Sequence, residues 1–385
     1  MKGFVRVVSA LVVLASSSGV LTPNVRADMV AELPSEPNQP ESEATLAGAA
    51  AQQVGFAVGS GIFLSEQPEL DSDLDGIAEI GASWIRVDVT WAWIESQRDH
   101  YDWADLDRVI DGATDRGLSI VGVLGYSPAW ARPEATNDKA PPDNPDDFAS
   151  FAAIAAQRYA AKGVFTWEIW NEPNLSAFWQ PVPDSARYSE LLVAASEAIR
   201  SAVAETTVLS GGLAPATDDL HGQSIAPATF LRGIYEAGGG RSFDAIAAHP
   251  YSYPLLATEA AAWNAFTQLP ELHEIATSWG DAAKLIWLTE YGAPTGPEAL
   301  HARGLAVNEH RQATMLISAL DAVRAMPWVG PVFLYNYRDA PDAPNDRESY
   351  FGVIRSDGSA KPSWDAVRKR LNNPGLTHAN GQRLR

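Results

Sequence analysis

Residues Thr166–Asn174 read Thr-Trp-Glu-Ile-Trp-Asn-Glu-Pro-Asn. Thr166, Trp167, Ile169 and Trp170 are β-branched or aromatic, and residues of that kind suit a buried strand. Asn171, Glu172, Pro173 and Asn174 then end it, because proline cannot donate to a ladder and asparagine favours turns. Glu172 is thereby placed at the carboxyl end of a strand, facing the space beyond it. Leu285–Tyr291, Leu-Ile-Trp-Leu-Thr-Glu-Tyr, repeats the arrangement: an apolar run that ends at Glu290.

The two stretches belong to a longer alternation. Short apolar runs occur at 56–64, 84–89, 119–125, 166–170, 207–210, 243–249, 285–289 and 332–337. Between them lie segments with helix formers and apolar spacing near three and four: 70–80, 104–116, 146–161, 185–205, 228–237, 258–279 and 305–325, with 363–371 as the last. Asp146, Ser185 and Thr258 are candidate N-caps. Gly81, Gly117, Gly163, Gly238 and Gly280 stand where C-capping glycines are expected. Eight strand–helix alternations predict a single α/β domain, a (β/α)8 TIM barrel over residues 54–371. Runs that are apolar throughout suit a parallel sheet covered on both faces. A doubly wound sheet would carry a glycine-rich phosphate loop after its first strand. Val58-Gly59-Ser60-Gly61-Ile62-Phe63 offers only part of that motif.

Composition narrows the partners. The chain has 385 residues and a formal net charge of −20, so it repels polyanions and nucleic acid is not expected as a partner. It has no cysteine, which removes disulfides and thiolate-bound metals. Residues 1–27 read as a secretory signal peptide. Lys2 and Arg6 lead, Val7–Val20 is apolar, and Val25-Arg26-Ala27 is a small-residue cleavage site, with cleavage expected after Ala27. The apolar run is short for a membrane span. The expected product is a secreted, extracellular protein with no membrane span in its mature form; a retained signal anchor is the alternative. Residues 28–53, rich in Glu, Pro, Ser and Ala, read as a disordered linker, and 372–385 as a flexible tail.

The chemistry legible in the motifs is that of paired carboxylates. Cleaving a glycosidic bond requires one acid to protonate the leaving oxygen and a second carboxylate to attack the anomeric carbon or activate water. Glu172 and Glu290, each ending a strand of one barrel, supply such a pair. Thirteen tryptophans also suit a carbohydrate partner, because sugar rings present flat apolar faces. Trp91, Trp93, Trp130 and Trp179 follow strands two to four and are candidate stacking platforms. No HExxH, nucleophile elbow or Walker loop is present, and the seven histidines lack metal spacing. No metal or other cofactor is expected. Asp339, Asp342, Asp346 and Glu348, without regular ligand spacing, read as a solvated loop.

The Trp-Asn-Glu-Pro-Asn motif resembles the strand-four signature of clan A glycoside hydrolases, and Leu288-Thr289-Glu290-Tyr291-Gly292 is similar to their strand-seven motif. The resemblance implies a β-glycosidase acting with retention, Glu172 as acid/base and Glu290 as nucleophile. It also implies Asn171 as a donor to the substrate 2-hydroxyl and Arg86 of Trp84-Ile85-Arg86-Val87-Asp88 as the group that holds Glu290 ionised. His249 and Tyr251 match the strand-six His-x-Tyr. With Tyr337 near the end of strand eight, these residues are the expected substrate contacts. Within the clan, Ser127-Pro128-Ala129-Trp130 and the strand-four motif look most similar to family 39 and related bacterial exopolysaccharide hydrolases. Two departures concern the sugar site. Gly125 and Tyr126 stand where many members have a histidine after strand three, and Tyr335–Asp339 where many have a tryptophan. A transglycosylase, or a carbohydrate-binding barrel without turnover, would share the same residues. The sugar, endo or exo action and oligomeric state are left open.

Overall fold

The computed structural model describes residues 53–340, 343 and 345–373. The expected signal peptide (1–27), all of the expected linker (28–53) except residue 53, and residues 374–385 of the expected tail (372–385) lie outside them, while Asn372 still belongs to the last helix. Eight parallel strands alternate with eight principal helices. The strands are β1 (Val54–Ala57), β2 (Trp84–Thr90), β3 (Ser119–Gly125), β4 (Thr166–Ile169), β5 (Thr207–Leu209), β6 (Ile246–Ala248), β7 (Ile286–Tyr291) and β8 (Val329–Leu334). The helices that follow them in turn are α1 (Gln67–Glu79), α2 (Ala104–Thr114), α3 (Pro145–Ala160), α4 (Ser185–Ala202), α5 (Pro227–Glu236), α6 (Leu269–Ser278), α7 (Glu309–Ala322) and α8 (Pro362–Asn372).

The strands hydrogen-bond in the order β5-β4-β3-β2-β1-β8-β7-β6. Isolated parallel bridges, Leu209 to Ala245 and Leu213 to Ala248, join the two ends. The sheet is therefore a barrel, as the alternation predicts. Its interior is packed by Ala57, Val121, Leu209, Ala247, Trp287 and Phe333. The Trp287 and Phe333 rings stack at 6.3 Å, and Trp84 meets Trp287 edge-on at 5.5 Å. Gly330 makes room for this layer, since a Cβ there would lie 2.8 Å from Trp287 Cδ1. No helix among the described residues is long and apolar enough to cross a membrane.

The five expected C-cap glycines all adopt the left-handed conformation, with φ between 71° and 94°. Other boundaries differ. Residues 60–64, expected to continue strand one, form a 3-10 turn, and β1 begins earlier at Val54. Asn144 and Asp184, not Asp146 and Ser185, accept the N-terminal amides of α3 and α4. Thr258 caps nothing; α6 starts at Leu269, behind a 3-10 turn capped by Asn264 and with a proline in its first turn.

Candidate active site

The site lies at the carboxyl ends of the strands. Strand β4 ends in an unusual backbone: Trp170 and Glu172 have φ of 71° and 47°. Such conformations cost on the order of 1–3 kcal/mol per residue and persist only where neighbours fix them. Here the Trp170 amide donates to Leu124 O at 2.8 Å and the Glu172 amide to Gly212 O at 3.0 Å. Trp170 Nε1 donates to Phe178 O at 2.6 Å. The result aims Glu172 toward the barrel axis.

Strand β7 brings Glu290 to the same place. One oxygen each of Glu172 and Glu290 and a ring nitrogen of His249 lie within 4.8 Å of one another. His249 follows β6. Its Nδ1 pairs with Glu172 Oε1 at 2.9 Å and lies 3.5 Å from Glu290 Oε2, while its Nε2 meets Thr289 Oγ1 at 3.1 Å. These three groups are close enough to ligate a cation, yet both ring nitrogens are already engaged by hydrogen-bonding partners, which fits an orienting histidine. Tyr251 donates its hydroxyl to Glu290 Oε2 at 2.7 Å.

Arg86 of β2 holds the centre together. Its Nη1 donates to Glu290 Oε1 at 2.7 Å and its Nη2 to Asn171 Oδ1 at 2.8 Å. Its Nε and Nη2 grip Glu168 at 2.7 and 2.9 Å. Arg86 is thus paired with Glu168 and Glu290 and not with Asp88, two residues along the same strand. Because Asn171 accepts through its oxygen, its amide nitrogen is left to face the Tyr126 hydroxyl.

Burial pushes the carboxyls of both Glu172 and Glu290 above the usual range. Opposing it at Glu172 is the His249 hydrogen bond; opposing it at Glu290 are the Arg86 charge and the Tyr251 hydroxyl. Burial also pulls the His249 imidazole down, favouring its neutral form.

Glu172, Glu290, Asn171, Arg86, His249 and Tyr251 therefore converge. Three other expected contacts do not. Trp91 is fully buried, stacked on Phe151 at 5.7 Å with its Nε1 bonded to Glu95. Trp179 is buried between Trp170 and Tyr188, at 5.3 and 5.7 Å. Both are packing residues, because neither has a ring face left for a ligand. Tyr337 points outward from the barrel, edge-on to Phe56 at 5.4 Å and close against Gly76 of α1. Trp130 is half-buried, and the Arg98 guanidinium covers one face of its ring at 4.1 Å. Trp93 does keep an exposed ring.

Sequence reading missed Glu168. A charged residue inside an apolar buried strand was the available signal, since such residues are buried only when paired. The acidic stretch after β8 is also not simply solvated. Asp339 is buried against Lys361 at 2.7 Å. Glu348 lies near enough to Glu290 to feel its charge, and burial lifts its carboxyl to about 7. Asp342 falls outside the described residues.

An eight-stranded parallel barrel with carboxylates at the ends of β4 and β7 is the architecture of a clan A glycoside hydrolase. The chain belongs to glycosyl hydrolase family 5: residues 45–315 match the family described as Cellulase (glycosyl hydrolase family 5). Solved structures with the same fold include family 39. One is a family 39 glycoside hydrolase from Bacteroides cellulosilyticus WH2, with 22% identity and a TM-score of 0.66. That match covers 83% of this chain but only 64% of the Bacteroides protein. A GH39 β-xylosidase from Caulobacter crescentus has 21% identity and a TM-score of 0.63, over 83% of this chain and 71% of that one. GH5_18 from Streptomyces cattleya, in complex with GlcNAc, has 19% identity and a TM-score of 0.63, over 84% and 81%. At these identities the likeness is one of fold. No curated protein sequence matches the chain.

Proposed function

We propose that this chain is a secreted β-glycosidase that hydrolyses O-glycosidic bonds of an oligo- or polysaccharide by double displacement. The observation that carries the reading is the closeness of Glu172 and Glu290, whose nearest oxygens lie within 4.8 Å. Retaining glycosidases hold their carboxyls about 5–5.5 Å apart, whereas inverting ones need roughly 6.5–9.5 Å to admit water between them.

The electrostatics support a division of labour. Burial disfavours two negative charges side by side, so the pair retains one proton more readily than two isolated acids would. Glu290 has a guanidinium and a hydroxyl bonded to it, and Glu172 has only a neutral imidazole. Glu290 therefore ionises first and Glu172 keeps the proton. Glu290 attacks the anomeric carbon while Glu172 protonates the departing oxygen. Once Glu290 is a neutral ester, the repulsion that kept Glu172 protonated is gone. Glu172, now ionised, deprotonates the water that releases the sugar. Asn171, held by Arg86, offers its amide to the substrate 2-hydroxyl.

The test is release of aryl alcohol or sugar by the purified mature protein from a panel of β-linked aryl glycosides and polysaccharides. Release that Glu290→Gln abolishes is the expected result. Release that survives Glu290→Gln would remove the assignment. Signal cleavage after Ala27 is checked by the N-terminal sequence of protein recovered from the culture medium; a chain retained in the cell membrane would contradict secretion.

A further inference from the structure

Strand β2 carries a second acid whose role the catalytic pair leaves unexplained. Asp88 lies two residues beyond Arg86, and side chains two apart on a strand share a face. It therefore projects to the same inner side as the guanidinium that grips Glu290. Asp88 is half-buried and takes no hydrogen bond or ion pair from any described residue. Burial raises its carboxyl; among charged neighbours, Arg86 and Lys139 oppose that rise, and Glu290 and Glu168 add to it. An unpaired carboxylate in such company destabilises the empty protein unless water solvates it.

Lys139 is its counterpart. It sits on the loop between β3 and α3 and is only 5% exposed. Its ammonium lies 3.0 Å above the Tyr126 ring and 3.5 Å from the Asp138 carboxylate. Burial lowers it to about 8. The loop is fixed by its backbone: Gln180 N donates to Lys139 O at 3.0 Å, and Ser127 N to Asp138 O at 2.9 Å. Lys139 N donates to Asn137 Oδ1 at 2.9 Å. This buried cation and a carboxylate without a hydrogen-bonding partner among the described residues lie near enough to feel each other's charge, and Asp88 feels that of Glu290.

Resting on the glycosidase reading above, we propose that Asp88 and Lys139 form a recognition pair for adjacent hydroxyls of the sugar bound against Glu290. The chemistry of double displacement says which sugar this is. After the leaving group departs, the glycone stays bonded to Glu290 and touches what surrounds it. When that sugar enters, it displaces the water around Asp88. The carboxylate then accepts from two neighbouring hydroxyls, and the ammonium donates to one of their oxygens. Charge-assisted bonds of this kind are stronger than neutral ones and discriminate sharply against an analogue lacking the hydroxyl. The same charges define the class of glycone. Asp88, Glu168 and Glu290 against Arg86 and Lys139 leave an excess of negative charge, so the site takes a neutral sugar with a free vicinal diol and rejects a uronic acid.

The experiment measures kcat/KM for the responding aryl β-glycoside and for its monodeoxy analogues, one hydroxyl removed at a time. Wild type, Asp88→Asn and Lys139→Met are compared, with melting curves for each. Asparagine is isosteric with aspartate, which keeps the packing. Wild type should lose roughly 10- to 100-fold on the analogues lacking the recognised hydroxyls. Asp88→Asn should lose a similar factor on the parent glycoside and little more on those analogues, and Lys139→Met should behave likewise for one of them. An Asp88→Asn that keeps the full penalty on every analogue overturns the pair, because it then acts only through the charge at Glu290. So does an Asp88→Asn indistinguishable from wild type. Both outcomes leave Glu290-dependent turnover standing. Absence of any Glu290-dependent release overturns the glycosidase reading, and the pair with it.

Discussion

Replacing Tyr251 by phenylalanine removes one hydrogen bond and little else. Tyr251 Oη donates to Glu290 Oε2 at 2.7 Å. The ring packs edge-on against Phe351 at 5.9 Å and Tyr253 at 6.1 Å, and phenylalanine keeps those contacts. A hydrogen bond to a charged group contributes about 1.5–3 kcal/mol. This one stabilises ionised Glu290, so its loss pushes the carboxyl, already raised by burial, higher still. At 1.36 kcal/mol per unit the rise is about 1–2 pH units. The sign follows from the chemistry: a protonated Glu290 cannot attack. The acid limb of the kcat/KM profile therefore moves to higher pH by that amount, while the alkaline limb, set by deprotonation of Glu172, stays near its place. The assay is kcat/KM against pH for both proteins, with melting curves to establish that the variant is folded. An acid limb that does not move in a folded Tyr251→Phe would refute the assignment of Glu290 as the group that must be ionised.

Two further substitutions test the framework around the pair. At Gly212, a Cβ would fall inside the van der Waals surface of the His249 imidazole; Gly212→Ala should displace that ring from Glu172 and lower kcat/KM at least 10-fold, and retained activity would show that His249 does not orient the acid. Trp91→Ala should behave as a core deletion, lowering stability by roughly 3–5 kcal/mol, with KM for glycans unchanged in the protein that remains folded. A raised KM without loss of melting temperature would return Trp91 to the substrate.

The barrel was legible because its strands announce themselves. Each is short, mostly apolar and followed by turn chemistry, and the glycines after the helices stand where only a left-handed residue fits. The convergence of the proposed pair was legible for a related reason: Asn171-Glu172-Pro173 and Glu290 are polar groups set where an apolar run stops. Helix starts were less so. Asn144 and Asp184 compete with neighbouring Asp146 and Ser185 for the same cap, and only the backbone conformation decides between them. The tryptophans were the least legible. Position after a strand says that Trp91 and Trp179 lie near the active face, but not whether the ring turns into the wall or the cleft. Packing against Phe151 and Trp170 decides that, through contacts far apart in sequence. Glu168 escaped notice because its partner, Arg86, lies 82 residues away and pairing is invisible to a local pattern.

The most direct measurement is the stereochemistry of the first product, followed by proton NMR during hydrolysis of the responding β-glycoside. Double displacement through Glu290 predicts that the β-anomer appears first and mutarotates only afterwards. First appearance of the α-anomer would mean a single displacement by water, and would contradict the account of Glu172 and Glu290.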